Sequence, residues 1–252
     1  MNYLLPCIDR DQMIEVDRLM IEKYQISLVQ MMENAGQNLA RLVQHHCKNM
    51  DNPAILILCG NGHNGGGGMV CGRFLINWGY VVCLVTIGEV ARRKVVTIKQ
   101  YDTLQKMSAT VLENDLSHFP DLLAHSDLVV DAMIGYGLDG DLSTELQSII
   151  DALHKRRALP VISLDAPSGL DVSGKLKNKM MLATATLTLA LPKWGLIIES
   201  NQSTVGELFL ADIGVPSNLY AEMGLEVPTM FRKSPILIMN ERGYFAPTNI
   251  SI

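Results

Sequence analysis

The chain has 252 residues, 48% of them hydrophobic and 19% charged, with a net charge of −5. That is apolar material for one large α/β domain or two small ones, and the acidic balance excludes the basic face a nucleic-acid binder needs. Five cysteines with no CxxC pair, six histidines with no HExxH spacing and no apolar run near the ~20 residues of a membrane span exclude a paired-cysteine zinc site, a zinc-hydrolase motif and a bilayer-crossing helix. An odd cysteine count, with the N-terminal apolar patch broken at once by Asp9-Arg10-Asp11, reads as reduced thiols in a cytoplasmic protein without a signal peptide.

Residues 9–24 carry a helical stripe of Met13, Val16 and Met20 behind Asp9 as N-cap. Residues 27–48 carry a second, with Ser27 as N-cap and Leu28, Met31, Ala35, Leu39 and Leu42 on one face. From residue 54 the period changes. Apolar runs near 54–59, 81–87, 109–112, 127–132, 160–164, 185–190 and 207–211 alternate with helical stretches. These runs are apolar throughout, as strands buried on both faces are, so the expected class is α/β with a mainly parallel sheet between helices. The expected organisation is a single domain over 1–252: a helical extension at 9–48, an α/β core at 54–216 and a tail at 217–252. In that tail Ile236–Met239 reads as an edge strand and the final ten residues as loose.

The first strand runs into Gly60-Asn61-Gly62-His63-Asn64-Gly65-Gly66-Gly67-Gly68, six glycines in nine residues, with a helical run after it. Strand, glycine turn and helix form a phosphate cradle: no Cβ stands in the way, and unpaired helix N–H groups point at the anion. Gly60, Gly62 and Gly65 match a dinucleotide fingerprint, an ordinary tight turn being the alternative. Glu89, after the second strand, is the nearest acid for a ribose. The clusters Arg92-Arg93-Lys94 and Lys155-Arg156-Arg157 read as solvated helix faces or ends. Cys59, Trp78 and Trp194 read as packing groups. Lys193, just past a strand end, reads equally as a phosphate contact or a surface lysine.

Two more strand ends are polar. Asp131 closes one and is followed by Gly135-Tyr136-Gly137-Leu138-Asp139-Gly140, a second glycine fingerprint. Asp165 closes the other, before Ala166-Pro167-Ser168-Gly169. Either aspartate alone could cap its own turn, and Ser168 could do the same. Three such ends at the carboxyl edge of one parallel sheet point to a ligand site. No GKS or GKT follows the glycines and no GxSxG is present, which excludes a P-loop kinase and an α/β-hydrolase. Asn64, Asp131 and Ser168 offer oxygen donors with a single carboxylate, a set that suits a hard, monovalent cation better than zinc.

These motifs resemble those of the NAD(P)H-hydrate epimerases, the YjeF N-terminal domain family. Residues 60–68 resemble its G-x-G-N-N-G-G-D-G loop, Asp131–Gly137 its D-A-x-x-G-x-G and Asp165–Gly169 its D-x-P-S-G. Arg10 through Asp17 to Met32-Glu33-Asn34-Ala35-Gly36 resemble its helical start, and Ala183–Thr188, Lys193, Gly195 and 206–216 its closing strands. The resemblance covers roughly residues 9–216. It implies a three-layer α/β/α Rossmann-like fold, often dimeric. The implied reaction interconverts the R and S forms of hydrated NADH and NADPH (NADHX and NADPHX) at C6 of the nicotinamide ring. Asn64, Asp131 and Ser168 match its potassium ligands. His63, Asn64, Gly65, Gly66, Gly67, Gly135, Tyr136, Gly137, Leu138, Asp139, Gly140, Asp141 and Asp165 match substrate-binding positions. Two positions depart from the pattern: His63 replaces the first Asn of the loop and Gly67 its Asp. With that carboxylate gone, Asp165 is the acid–base candidate and His63 a possible substitute. An S-specific dehydratase acting downstream would be a separate chain, and a catalytically degenerate binding or dimerising scaffold of the same fold is the alternative reading.

Overall fold

A computed structural model of the protein describes residues 2–174 and 179–250. Helices α1 (Arg10–Glu22) and α2 (Leu28–Cys47) come first. Each opens on a capping box: the Asp9 carboxylate accepts from Gln12 N at 2.8 Å and the Gln12 side chain accepts from Asp9 N at 3.0 Å, with Ser27 and Gln30 repeating the exchange. The rest alternates: β1 (Ala54–Cys59), α3 (His63–Asn77), β2 (Val81–Thr86), α4 (Val95–Lys106), β3 (Thr110–Glu113), α5 (Phe119–Ala124), β4 (Leu128–Ala132), α6 (Thr144–His154), β5 (Val161–Leu164) and β6 (Ala185–Leu189). Two one-turn helices, α7 (Trp194–Ile197) and α8 (Gln202–Val205), lead to β7 (Glu207–Ala211), α9 (Ser217–Glu222), β8 (Ile236–Met239) and β9 (Phe245–Pro247).

The strands form one sheet in the order β3-β2-β1-β4-β5-β6-β7-β8-β9. Strands β1 to β7 pair in parallel, and β8 and β9 close the sheet antiparallel. Alternation along β1 shows the layering. Ile55, Ile57 and Cys59 pack with Leu39 and Val43 of α2, Met69 and Leu75 of α3 and Leu104 of α4. Leu56 and Leu58 pack on the other face with Phe119 and Leu123 of α5 and Ile149, Ile150 and Leu153 of α6. Each such side chain, fully withdrawn from water, contributes about 1.5–3 kcal/mol. Helix α1 lies toward the far end of the sheet, its Met13, Val16 and Met20 packed with Leu208, Leu210, Leu219 and Leu237. The fold is a three-layer α/β/α arrangement. Its strand order reverses between β1 and β4, the switch point at which α/β folds hold ligands.

Two expectations are corrected. Helix α3 begins at His63, so Gly65–Gly68 are its opening turns rather than a loop ahead of it. A Cβ on Gly65 would lie 1.8 Å from the Gly60 carbonyl oxygen; glycine there lets the helix start against the end of β1. The tail is more ordered than its composition suggests. β8 is an interior strand, because β9 pairs outside it. Phe245–Pro247 form β9 and Phe245 and Ile250 are buried, so the final ten residues are not loose throughout; 251 and 252 lie outside the described residues.

Candidate functional site

The carboxyl ends of β1, β4 and β5 open into a cavity of about 660 Å³, overhung by Arg10, Met13 and Asp17 of α1 and by Met31, Met32 and Ala35 of α2. Helix α3 points its first turn at this space. Its N-cap, Gly62, supplies no side-chain hydrogen bond, and its earliest amides have no intrahelical acceptor, so they are available to an anion. His63, Asn64 and Gly67 line the cavity, while Gly65 and Gly66 are buried in helix packing outside its wall. Burial pulls the His63 imidazole below its usual range, the Asp17 charge opposing this and Lys94 adding to it. Asn64 donates to the Leu164 carbonyl oxygen at 3.2 Å, which ties α3 to the end of β5.

Beneath this floor lies Asp131. Parallel pairing sets it opposite Ser163, and the Ser163 hydroxyl donates to Oδ2 at 2.9 Å. Ser168 donates its N–H to Oδ2 at 2.8 Å and its hydroxyl to Oδ1 at 2.5 Å. Met133 N–H donates to Oδ1 at 3.3 Å. Asp131 is 0% exposed, and no ion pair among the described residues includes it. Burial pushes its carboxyl up, against the hydrogen bonds from Ser168, Ser163 and Met133 that pull it down. One buried carboxylate with the Ser163 and Ser168 hydroxyls beside it is an all-oxygen set that suits a cation of single charge, while no hydrogen bond among the described residues joins Asn64 to it. Among the described residues no three His, Cys, Asp or Glu side chains converge as a transition-metal site would require.

Asp165 forms the cavity wall at the end of β5. It is a non-glycine residue at φ 67°, a strained conformation that costs about 1–3 kcal/mol and is held by its N–H donating to the Leu187 carbonyl at 2.7 Å. Its Oδ2 accepts from Tyr136 N–H at 2.7 Å and its Oδ1 from Lys193 Nζ at 2.6 Å. Lys193 is neither on the surface nor free for a phosphate, as its position after a strand suggested. It is 0% exposed, and its ammonium also donates to Thr188 Oγ1 at 3.0 Å and the Leu189 carbonyl at 2.7 Å. All three protons are used, because an unpaired ammonium at that depth would be prohibitive.

The loop between β4 and α6 brings Gly135, Tyr136, Gly137, Leu138, Asp139 and Asp141 to the cavity wall; Gly140, Asp131 and Ser168 are not part of that wall. Helix α1 supplies Asp17, whose Oδ2 accepts from the Tyr136 hydroxyl at 2.5 Å, and Arg10, 3.6 Å from Asp139. Nothing in the sequence alone marks Asp17 or Arg10 as a site residue. The i, i+7 spacing of the two places them on one side of α1, but nothing local says which loop that side meets. Glu89 pairs with Arg92 at the surface and is outside the cavity lining. Arg93 is not a solvated charge: it is buried, paired with Glu113 at 3.0 Å and stacked on the Tyr101 ring. Lys94 reaches the cavity wall. Cys59 is buried strand packing, its thiol pushed up to about 12 by burial.

Residues 28–195 match the family described as YjeF-related protein N-terminus. The chain is 37% identical to the NAD(P)H-hydrate epimerase of Dehalogenimonas lykanthroporepellens over 85% of this chain and 84% of that one. It is 34% identical to the bifunctional NAD(P)H-hydrate repair enzyme Nnr of Moorella thermoacetica over 83% of this chain but only 41% of that longer protein. A crystal structure of the yeast protein Ynu0, 23% identical, superposes with a TM-score of 0.80 over 93% of this chain and all of that one, a likeness of fold. With matched residues running from α2 past Lys193, and so through all three polar strand ends, the chain belongs to the YjeF-related N-terminal family.

Proposed function

We propose that this protein is an isomerase of nicotinamide-nucleotide repair, which interconverts the R and S forms of hydrated NADH and NADPH at C6 of the reduced ring. The observation that carries the reading is the convergence of Asp165, Tyr136, Asn64 and the amino end of α3 on one cavity of about 660 Å³ at the β1/β4 switch point. The first amides of α3 and the Gly135–Asp141 loop hold the dinucleotide's phosphates and sugars, with His63, Asn64, Gly67 and Leu138 on the cavity wall and Gly65, Gly66 and Gly140 behind it. Potassium fits the oxygen set of Asn64, Asp131 and Ser168; bound, it supplies the positive charge that the buried Asp131 carboxylate lacks. Asp165, ion-paired with Lys193 at 2.6 Å, is the acid–base group at the carbinol carbon, and His63, which also lines the cavity, is a possible substitute. An S-specific dehydratase consumes the product, the protein works as a homodimer, and its five unpaired cysteines accord with a cytoplasmic setting.

The test is a coupled assay. Mixed R and S hydrated NADH is given to a saturating S-specific dehydratase, and NADH recovery is followed by absorbance with and without this protein, in potassium and in lithium buffers. Removal of the stall at the S fraction, faster in potassium, is expected. Nucleotide binding without any relief of the stall would favour the degenerate scaffold instead.

A further inference from the structure

Among the described residues five carboxyl groups line the cavity, those of Asp17, Asp139, Asp141, Glu145 and Asp165, and one residue joins two of them. Tyr136 donates its backbone N–H to Asp165 Oδ2 at 2.7 Å and its hydroxyl to Asp17 Oδ2 at 2.5 Å. Their surroundings are opposite. Asp165 has the Lys193 ammonium 2.6 Å from Oδ1. Asp17 has no cation in contact, and its Oδ1 has no hydrogen-bond partner among the described residues, although the side chain borders the cavity. Paired acids held in unlike environments divide into one acid and one base.

We propose that Asp17 is the catalytic acid of the site, delivering its proton to the departing hydroxyl at the carbinol carbon while Asp165 serves as the base. This rests on the epimerase reading above. In the step, the Asp17 proton moves to the C6 hydroxyl and the C6–O bond breaks, its electron pair leaving with water. The ring-nitrogen lone pair becomes the second bond of C6=N1. Water then adds to the opposite face, forming a new C6–O bond as the C6=N1 π pair returns to nitrogen, and its surplus proton passes to the Asp165 carboxylate. Exchange with solvent returns a proton to Asp17 and frees Asp165. Atoms and electrons balance, with no oxidant or reductant.

Burial, more than the groups that face it, favours the protonated form of Asp17. Burial pushes its carboxyl up, and the Asp165 charge adds to this. The Tyr136 hydroxyl, the Lys193 ammonium and His63 pull it down. The Tyr136 hydrogen bond is the largest of the opposing effects, so removing it raises the carboxyl further.

The informative variant is Asp17→Asn, because an amide oxygen still accepts from the Tyr136 hydroxyl and preserves any merely structural tie between α1 and the loop. The expected result is a fall in kcat of about 100-fold or more with KM within about threefold, and an unchanged thermal midpoint. Tyr136→Phe provides the second readout: the alkaline limb of the kcat–pH profile moves to higher pH. Wild type active with Asp17→Asn within about threefold of it, or an alkaline limb that stays put or moves down in Tyr136→Phe, overturns the assignment of Asp17 alone. A wild type unable to relieve the dehydratase stall overturns the epimerase reading and this assignment with it.

Discussion

Lys193 is a fully buried ammonium whose three donors meet Asp165, Thr188 and Leu189, so its charge is spent inside the protein rather than on a ligand. Breaking a buried pair from one side leaves the other charge uncompensated, which costs about 3–5 kcal/mol. Lys193→Met is therefore expected to lower the urea-unfolding free energy by about that amount, and a change below 1 kcal/mol would mean that the pair behaves as a solvated one. Asp165 could be read from the sequence as a strand-end aspartate. Its partner could not, because the two lie 28 residues apart and meet only when β5 and β6 pair in register. The same holds for Asp17 and Tyr136, which are separated by 119 residues.

At the scale of the element, α3 is where local pattern and tertiary packing disagree. Its first turns are glycines, the poorest helix formers after proline, and propensity alone therefore reads them as a loop. Packing overrides this. Gly65 abuts the Gly60 carbonyl, and Gly67 faces the tip of Leu164, with a Cβ position 2.7 Å from Leu164 Cδ2. The two should respond differently to substitution. Gly65→Ala drives a methyl into backbone that cannot move without displacing β1, and a loss of about 3 kcal/mol is expected. Gly67→Asp meets only the end of a flexible side chain, and less than about 1.5 kcal/mol is expected from it. Denaturant unfolding of the two variants side by side checks the order; the reverse ranking would place the tight contact at Gly67.

At the scale of the whole molecule, β8 and β9 complete the sheet beyond its parallel part. They bury Ile236, Leu237 and Phe245 and cover β7, whose Leu208, Phe209 and Leu210 are core residues. A chain ended at residue 233 would expose the apolar edge of β7, and such edges associate. It is expected to be recovered mainly as aggregates by size-exclusion chromatography; a soluble, cooperatively unfolding product would show the tail to be dispensable. The sequence by itself determined the α/β class, seven strands close to their observed positions, the caps of α1 and α2, and the three polar strand ends, because periodicity, capping and strand-end chemistry are local properties written within a few residues. Tertiary structure alone decided which polar residues face the cavity and which lie beneath it, that Lys193 neutralises Asp165, that Asp17 meets Tyr136, and that the glycine run is helical. Those outcomes depend on distant segments brought together, where the cost of an unpaired buried charge or an extra methyl outweighs local preference.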